Sequence, residues 1–390
     1  MRIGILFNFL NWFGGINYLH NLIFALNSLK NKDVKVVLIV GVNTPSNIID
    51  RFKDICEVKK DSMLDKGSLK WFISKAERKL FNTDYLKSIY LKKYTLDILS
   101  HSDFVGSNKK FKIINWIPDF QHLHLSHLFS PKDIEYREKL YRKYINCSDV
   151  VLLSSKDSYN DYKTFIKNNS KDIKKAQVLQ FVTQVDINNS HYSENSISAI
   201  RDMYGLKDKF FYVPNQFWDH KNHLIVLKAL KIVNKKYPDI QIVFTGSNDN
   251  KIYFEQLLKY IDYYNLNNNV KILNIIPYSH VLILFQICVA VVNPSKFEGW
   301  STTVEECKSF SKTIVLSNIP VHKEQNPEKS YFFNLNDEYK LAKILSQLYQ
   351  KKFTFENDDL LIEELKIRTR EFALTYLKIL INVMESDNDK

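Results

Sequence analysis

Two carboxylates bracket a turn in N-P-S-K-F-E-G-W-S-T-T-V-E-E, Asn293 to Glu306: Glu298 and Glu306, separated by seven residues. Placed beside an anion site, they could accept hydrogen bonds from the hydroxyls of a sugar nucleotide. Lys221, in N-Q-F-W-D-H-K-N-H, falls near the expected start of another helix. A cation there opposes the helix dipole unless an anion such as a diphosphate shares the site. Simpler readings stand beside these: Glu298 as a solvated loop residue, Glu306 as a first-turn dipole partner, Lys221 as an exposed amine over a cleft rim. Gln216, five residues before Lys221, can donate hydrogen bonds but carries no charge. A further polar group lies in P-D-F-Q-H-L-H-L-S-H, Pro118 to His127. His122 and His124 are two apart rather than four, which argues against a zinc pair on a helix. Asp119 and His122 are expected to grip an acceptor, and His124 and His127 to be structural.

The elements around these residues read as α/β. Ile287 to Val292 is an apolar run suited to a buried parallel strand. Asn293, Pro294 and Gly299 break the chain, and Thr302 with Glu305 forms a capping-box signature, so a helix should begin near Thr302. Strand, turn and helix in that order put unpaired N–H groups and positive dipole at the carboxyl edge of a sheet. The strand Phe210 to Pro214 leads into the Gln216–Lys221 turn, with a helix from His223. Ile240 to Phe244 ends in Thr245-Gly246-Ser247-Asn248, and Val270 to Leu273 ends in Asn274 to Pro277. These positions lie at strand carboxyl ends, where open α/β sheets bind ligands.

The first half alternates likewise. Ile3 to Phe9, Val34 to Val40, Phe111 to Trp116, Val150 to Ser154 and Val178 to Phe181 read as strands. Helices are expected at Ile16–Lys30, Asp133–Tyr144 and Asp157–Ile166. Asn11 to Gly15 forms a turn at the ligand-facing edge. Its Gly14-Gly15 pair either admits a bulky anion or is a plain tight turn. Residues 61–105 are helical and basic-aromatic without a strong strand, and Asp186 to Ser198 reads as an interdomain linker. Tyr339–Tyr349 and about Glu363–Met384 are helices, the last long enough to cross back onto the first domain.

At 390 residues the chain fits two domains, and its 45% apolar and 25% charged content is that of a globular protein. The net charge of +12 is uneven: residues 51–112 hold fifteen Lys/Arg against eight Asp/Glu, with Trp71, Phe72, Tyr85, Tyr90 and Tyr94 interleaved. Such a segment suits lipid head groups or nucleic acid, or is merely a solvated basic face. No nucleic-acid motif accompanies it, which favours an anionic membrane surface over nucleic acid. Cys56, Cys147, Cys288 and Cys307 show no paired or metal-ligand spacing. The N-terminus lacks a cleavage signal, and Val281 to Val292, the longest apolar run, is too short to span a bilayer. A cytoplasmic protein, peripherally associated with the inner face of the membrane, is the expectation.

Across almost its whole length the chain resembles the retaining glycosyltransferases of family 4. F-E-G-W-S-T-T-V-E-E resembles their Glu-x7-Glu pattern, and N-Q-F-W-D-H-K-N-H their phosphate-binding Arg/Lys segment. The resemblance implies a GT-B architecture: two facing Rossmann-like domains with parallel sheets and a C-terminal helix crossing back. Residues 1–188 with 366–390 would form the acceptor-side domain, and 199–365 the donor-binding domain. Glu306 would hold the donor ribose, Glu298 the transferred sugar and Lys221 the diphosphate, aided by the Gly15 N–H. Gly246, Ser247, Asn274, Ile276, Gly299, Trp300, Ser301 and Thr302 would complete the donor site with Gln216. Glu298, Lys221, Asp119 and His122 would be the catalytic set. Two departures are visible. Gln216 replaces the usual Arg of the phosphate pair, and Pro118-Asp119 stands where the family has His-Asp. The implied reaction is metal-independent, front-face sugar transfer from a UDP- or GDP-linked donor to a saccharide or lipid-linked oligosaccharide, without a cofactor. Other classes remain in view: a GT-B epimerase or phosphorylase, a non-catalytic nucleotide-sugar binder, and a basic nucleic-acid binder.

Overall fold

The computed structural model describes residues 1–7, 13–81, 83–104, 106, 110–167, 169–185, 193–351 and 358–385. Seven strands, β1 (Arg2–Leu6), β2 (Lys35–Val40), β3 (Glu57–Lys60), β4 (Ile98–Ser100), β5 (Lys112–Ile117), β6 (Val150–Leu153) and β7 (Ala176–Val178), form one sheet. Six more, β8 (Phe210–Val213), β9 (Gln241–Phe244), β10 (Val270–Ile272), β11 (Ala290–Asn293), β12 (Ile314–Ser317) and β13 (Ser330–Phe333), form the other. The first sheet belongs to a unit of Met1–Thr183 with Ile367–Lys390, the second to Gln184–Lys366. Both are parallel and Rossmann-like.

Runs such as Val-Val-Leu-Ile-Val in β2 and Phe-Phe-Tyr-Val in β8 are apolar at successive positions because helices cover both sheet faces. In the second unit Val226 and Leu230 of the helix His223–Asn234 pack with Leu341 and Leu345 of the helix Glu338–Gln350 over one face. Strand order is β3-β2-β1-β4-β5-β6-β7 in the first sheet and β10-β9-β8-β11-β12-β13 in the second. Chain direction along the sheet therefore reverses between β1 and β4, and again between β8 and β11. Loops at those points diverge and leave a crevice beyond the strand ends.

Several expectations shift. Gly14 and Gly15 lie in the first turn of the helix Phe13–Ser28, not in a preceding turn. Residues 11 and 12 of the expected turn, and 186–192 of the expected linker, lie outside the described residues. The linker's last residues start the helix Glu194–Tyr204, capped by the Ser193 hydroxyl. Cys288 follows the helix Tyr278–Ile287, so the run Ile287 to Val292 is a helix end and a strand rather than one strand. The segment 61–105 does hold a strand: β4 pairs with β1 and β5 at the centre of the sheet. Three residues are too few to show a period.

The terminal helix, Asp358–Glu385, joins the first unit from Ile367 onward. Its Tyr376 is 1% exposed, and its hydroxyl donates to Ser100 Oγ at 2.8 Å. Ser100 Oγ in turn meets His101 Nδ1 at 2.8 Å, and His101 Nε2 meets the Tyr18 hydroxyl at 2.9 Å. Tyr18 stacks on Trp116, ring centroids 4.1 Å apart. Burial lowers the His101 pKa to about 3, so this chain of bonds is uncharged at neutral pH. It ties helix Phe13–Ser28, β4, β5 and the terminal helix together. Tyr376→Ala should cost about 3–5 kcal/mol in chemical denaturation of the first unit; an unchanged midpoint would mean the helix does not dock there in solution.

Candidate functional site

The turns after β8 and β11 flank the second sheet's reversal point, and direct bonds join them. Lys296 N donates to the His220 carbonyl at 2.7 Å. Lys296 Nζ meets Asp219 Oδ1 at 2.7 Å, and Lys221 Nζ meets Glu298 Oε1 at 2.6 Å. Asn222, in the left-handed region at φ 56°, ends a short 3-10 turn over Asp219–Lys221 and opens the helix His223–Asn234. Lys221 thus projects from just before a helix. Its ammonium has three donor hydrogens and Glu298 occupies one direction, leaving donors for an anion.

Glu298 is fixed by more than its cation. Asn293, fully buried at the end of β11, accepts from Ser295 N on Oδ1 at 3.3 Å; the single Ser295 hydroxyl hydrogen lies between two acceptors, Asn293 Oδ1 and Glu298 Oε1, each 2.7 Å from Oγ. Asn293 Nδ2 donates to Ser301 Oγ at 2.9 Å. Burial alone would raise the Glu298 pKa; Lys221 beside it and the Ser295 hydroxyl outweigh that and hold it below the ordinary value. This carboxylate is ionised at neutral pH.

The helix Thr302–Ser309 starts one residue earlier in its capping than the Thr302–Glu305 pattern predicts. Ser301 is the N-cap, and its hydroxyl accepts from Val304 N at 3.4 Å. Glu305 does not return to the cap: its carboxylate accepts from Lys308 Nζ at 3.0 Å and Gln325 Nε2 at 2.9 Å. The Asn293 contact holds the Ser301 hydroxyl in place, which moves the cap off Thr302. Gln325 also bonds both backbone groups of Ser301, accepting from its N–H at 3.1 Å and donating to its carbonyl at 3.0 Å. Val304 N and Glu305 N thus find acceptors on Ser301, and the Thr302 and Thr303 N–H groups precede the first intrahelical acceptor.

Glu306 occupies a different setting. The Tyr278 hydroxyl donates to its Oε1 at 3.0 Å. Burial pushes its carboxyl up to about 7, and Tyr278 offsets only part of this. Two carboxylates from one turn-helix segment are therefore tuned apart.

The remaining donor-side positions gather around these. Gly246 N donates to the Asn274 carbonyl at 2.9 Å, joining the turns after β9 and β10. A Cβ on Gly246 would sit 2.4 Å from the Asn215 carbonyl oxygen, so only glycine allows this approach. The Ser247 carbonyl accepts from Phe217 N at 2.9 Å, and its hydroxyl pairs with Asp249. Gln216 is exposed, its Oε1 accepting from Trp218 Nε1 at 3.2 Å. Asn274 is exposed in a left-handed conformation at φ 54°, Ile276 is half-buried, and Gly299, Trp300 and Thr302 are partly open.

Gly15, Asp119 and His122 belong to the first unit. Asp119, two residues past the end of β5, is half-buried, and its Oδ1 accepts from Gln121 N at 2.9 Å at the start of the short helix Gln121–His124. The expectation for His122 is corrected: it is 1% exposed between Phe120 and Tyr141, and neither ring nitrogen has a hydrogen-bond partner. Burial lowers its pKa, and no nitrogen faces solvent. His124 pairs with Asp161 at 2.8 Å, a structural use.

Ser295, Asn293, Tyr278 and Gln325 are the site residues that sequence reasoning passed over. Asn-x-Ser directly after a strand is a legible turn signal. Gln325 lies 24 residues beyond Ser301 on a short helix, Pro320–Gln325, and carries no local signal.

Residues 198–365 match the family model for glycosyl transferases group 1, nearly the whole second unit. An uncharacterized glycosyltransferase of Methanocaldococcus jannaschii, MJ1059, is 23% identical over 60% of this chain and 58% of its own. The capsular polysaccharide biosynthesis glycosyltransferase CapH of Staphylococcus aureus is 20% identical over 74% of this chain and 78% of its own. The chain spans about half the length of the first curated relatives it matches. Among solved structures, Anabaena HepE in complex with UDP-glucose aligns at TM-score 0.65 and 15% identity, covering 100% of both chains, a likeness of fold. The glycosyl transferase match thus lies in the second unit, and relatives of the chain are named for polysaccharide biosynthesis.

The Glu306 environment predicts a pH signature. An unfolded glutamate ionises near 4.5, while this one keeps its proton to about 7. Its raised pKa favours the folded state fully below 4.5, and that contribution is lost as pH climbs from there through about 7. The loss is about 3 kcal/mol at most. Glu306→Gln should flatten the melting temperature of the ligand-free protein across this window; a parallel pH profile in the variant would refute it.

Proposed function

We propose that this chain, whose second unit carries the group 1 glycosyltransferase pattern, is a retaining, metal-independent transferase of family 4. It moves a sugar from a UDP- or GDP-linked donor onto a growing, lipid-linked saccharide in surface polysaccharide synthesis. The observation that supports this most is Lys221 paired to Glu298 at the reversal point of the second sheet, beside the N-terminus of helix Thr302–Ser309.

In this reading the donor diphosphate lies against the Lys221 ammonium and the helix's first N–H groups. Glu298 accepts from hydroxyls of the transferred sugar and Glu306 from the ribose. The bond between the anomeric carbon and the diphosphate oxygen breaks, and its electron pair leaves with the nucleoside diphosphate. The acceptor hydroxyl bonds to the anomeric carbon from the same face, and its proton passes to the departing diphosphate oxygen. Fixed positive potential where this negative charge builds is what the protein supplies. Asp119 remains the acceptor-side candidate in the first unit; His122 is not retained. The basic segment 51–112 suits an enzyme held at the inner face of a membrane that carries its acceptor.

Gln216 favours one second reading, a nucleotide-sugar binder without turnover, since it removes half the positive charge of the phosphate pair. Donor hydrolysis separates the two. With a panel of UDP- and GDP-sugars, Lys221→Ala should lower kcat/KM at least about 100-fold. Lys221→Arg should recover part of it, and EDTA should change nothing. Donor binding with no turnover across the panel would establish the binder instead; Lys221→Ala at wild-type rate would remove the assignment.

A further inference from the structure

The helix Leu69–Phe81 of the first unit is built inside out. Ser68 caps it, its hydroxyl accepting from Trp71 N at 3.1 Å. The buried side holds Ser74 and Glu77. Glu77 receives Tyr85 N on Oε1 at 2.7 Å and Leu86 N on Oε2 at 3.0 Å, fastening the start of the helix Tyr85–Leu91. Arg78 forks onto Asp84, which is 1% exposed, and also donates to the Asp103 carbonyl at 3.0 Å. These bonds fix the helix's rotation.

Its outward side is apolar. Leu69 is 75% exposed, Phe72 57%, Leu80 73% and Phe81 72%. With Ile73 and Ala76, the stripe Leu69, Phe72/Ile73, Ala76, Leu80 follows the spacing of one helix face. A surface helix normally turns such a stripe to the core. Here the polar clamp holds it in the open, so the stripe awaits a partner.

Charge decides which partner. Residues 66–81 contain Lys66, Lys70, Lys75, Arg78 and Lys79 against a single acid, Glu77. Glu77 and Arg78 are spent inside, and Lys66, Lys75 and Lys79 are exposed. Lys75 and Lys79 lie along one edge of the stripe. Three other cations of the basic segment are held by acids: Lys70 and Lys93 meet Asp61, and Lys87 meets Asp84. The exposed Lys66, Lys75 and Lys79 border the apolar face, and the exposed Lys60, Lys92 and Lys110 extend the basic surface beyond it. A short amphipathic helix with an apolar stripe edged by lysines fits the head-group zone of an anionic bilayer. At 13 residues it lies in the surface plane, and among the described residues no helix is long and apolar enough to cross.

We propose that the Leu69–Phe81 helix docks the protein onto anionic lipid, with Leu69, Phe72, Leu80 and Phe81 entering the interface and Lys75 and Lys79 meeting the head groups. This narrows the membrane contact to one helix face and rests on the reading of a membrane-borne acceptor. Full-length protein is floated with vesicles of phosphatidylcholine plus phosphatidylglycerol, and with phosphatidylcholine alone. Wild type should float with the mixed vesicles and little with the neutral ones. Leu69→Ser/Phe72→Ser/Leu80→Ser and, separately, Lys75→Glu/Lys79→Glu should each weaken flotation at least about tenfold. Circular dichroism and hydrolysis of a soluble donor should stay at wild-type level in both. Equal flotation of the variants overturns the proposal. So does a wild-type dimer that Phe72→Ser dissolves and that does not float, since the face would then belong to a second copy. Flotation by a chain that binds no nucleotide sugar would sink the donor reading and leave this one standing.

Discussion

The ion pair between Lys221 and Glu298 is the contact on which the second unit's site depends. Both side chains are mostly withdrawn from water, 19% and 12% exposed. Removing two charges from water costs several kcal/mol, recovered only with good geometry and further hydrogen bonds. The 2.6 Å separation provides the first condition. Ser295 on the same carboxylate oxygen provides the second, itself anchored to Asn293 at the strand end. The chain continues through the Ser295 carbonyl, which accepts from Ser317 Oγ at 2.5 Å, to His322, whose Nδ1 lies 3.0 Å from the Ser317 carbonyl. The carboxyl ends of β11 and β12 and the helix Pro320–Gln325 are locked together around one charged pair.

The same few residues set two glutamates to different protonation. Glu298 has a cation within bonding distance and stays ionised; Glu306, buried with the Tyr278 hydroxyl on its carboxyl, keeps its proton toward neutrality. A neutral carboxyl can donate as well as accept, whereas an ionised one only accepts. In the proposed reading, the adjacent hydroxyls of a ribose would meet both needs at Glu306, and hydroxyls of a transferred sugar would donate to Glu298. Burial and neighbours, rather than the residue type, give one Glu-x7-Glu segment two chemistries.

Much of this was legible. Apolar runs of parallel-strand length, with Gly, Asn and Pro at their ends, located most strands and put Glu298, Lys221, Gly246 and Asn274 at carboxyl edges. What escaped detection was short or non-local. β4 has three residues and gains its place only from pairing on both sides with β1 and β5. The Ser301 cap prevailed over Thr302 because Asn293, eight residues away, holds the serine hydroxyl. His122 read as chemistry because it follows a strand beside Asp119, yet packing between aromatic rings withdrew it. The inverted helix Leu69–Phe81 has ordinary amphipathic periodicity. Periodicity names the apolar stripe and is silent on which side faces the core.

Electrostatic balance explains what an anion would find in the second unit. His220, His223 and His322 surround the pair, but burial lowers their pKa values to about 4, 3 and 4, so none is charged at neutral pH. His223 Nε2 lies 3.1 Å from the Asn215 carbonyl, a bond the neutral ring satisfies. Lys296 is matched by Asp219 and Lys221 by Glu298. Gln216 adds no charge. The turns after β8 and β11 are thus close to neutral before any ligand arrives. In the proposed donor reading, a diphosphate would share the Lys221 ammonium with Glu298, and sugar hydroxyls would supply that carboxylate with further donors. The backbone N–H groups at Thr302 carry no such partner charge and offer their potential outright. An anion without a sugar attached satisfies half of this arrangement; an anion joined to a polyhydroxylated group satisfies both halves at once.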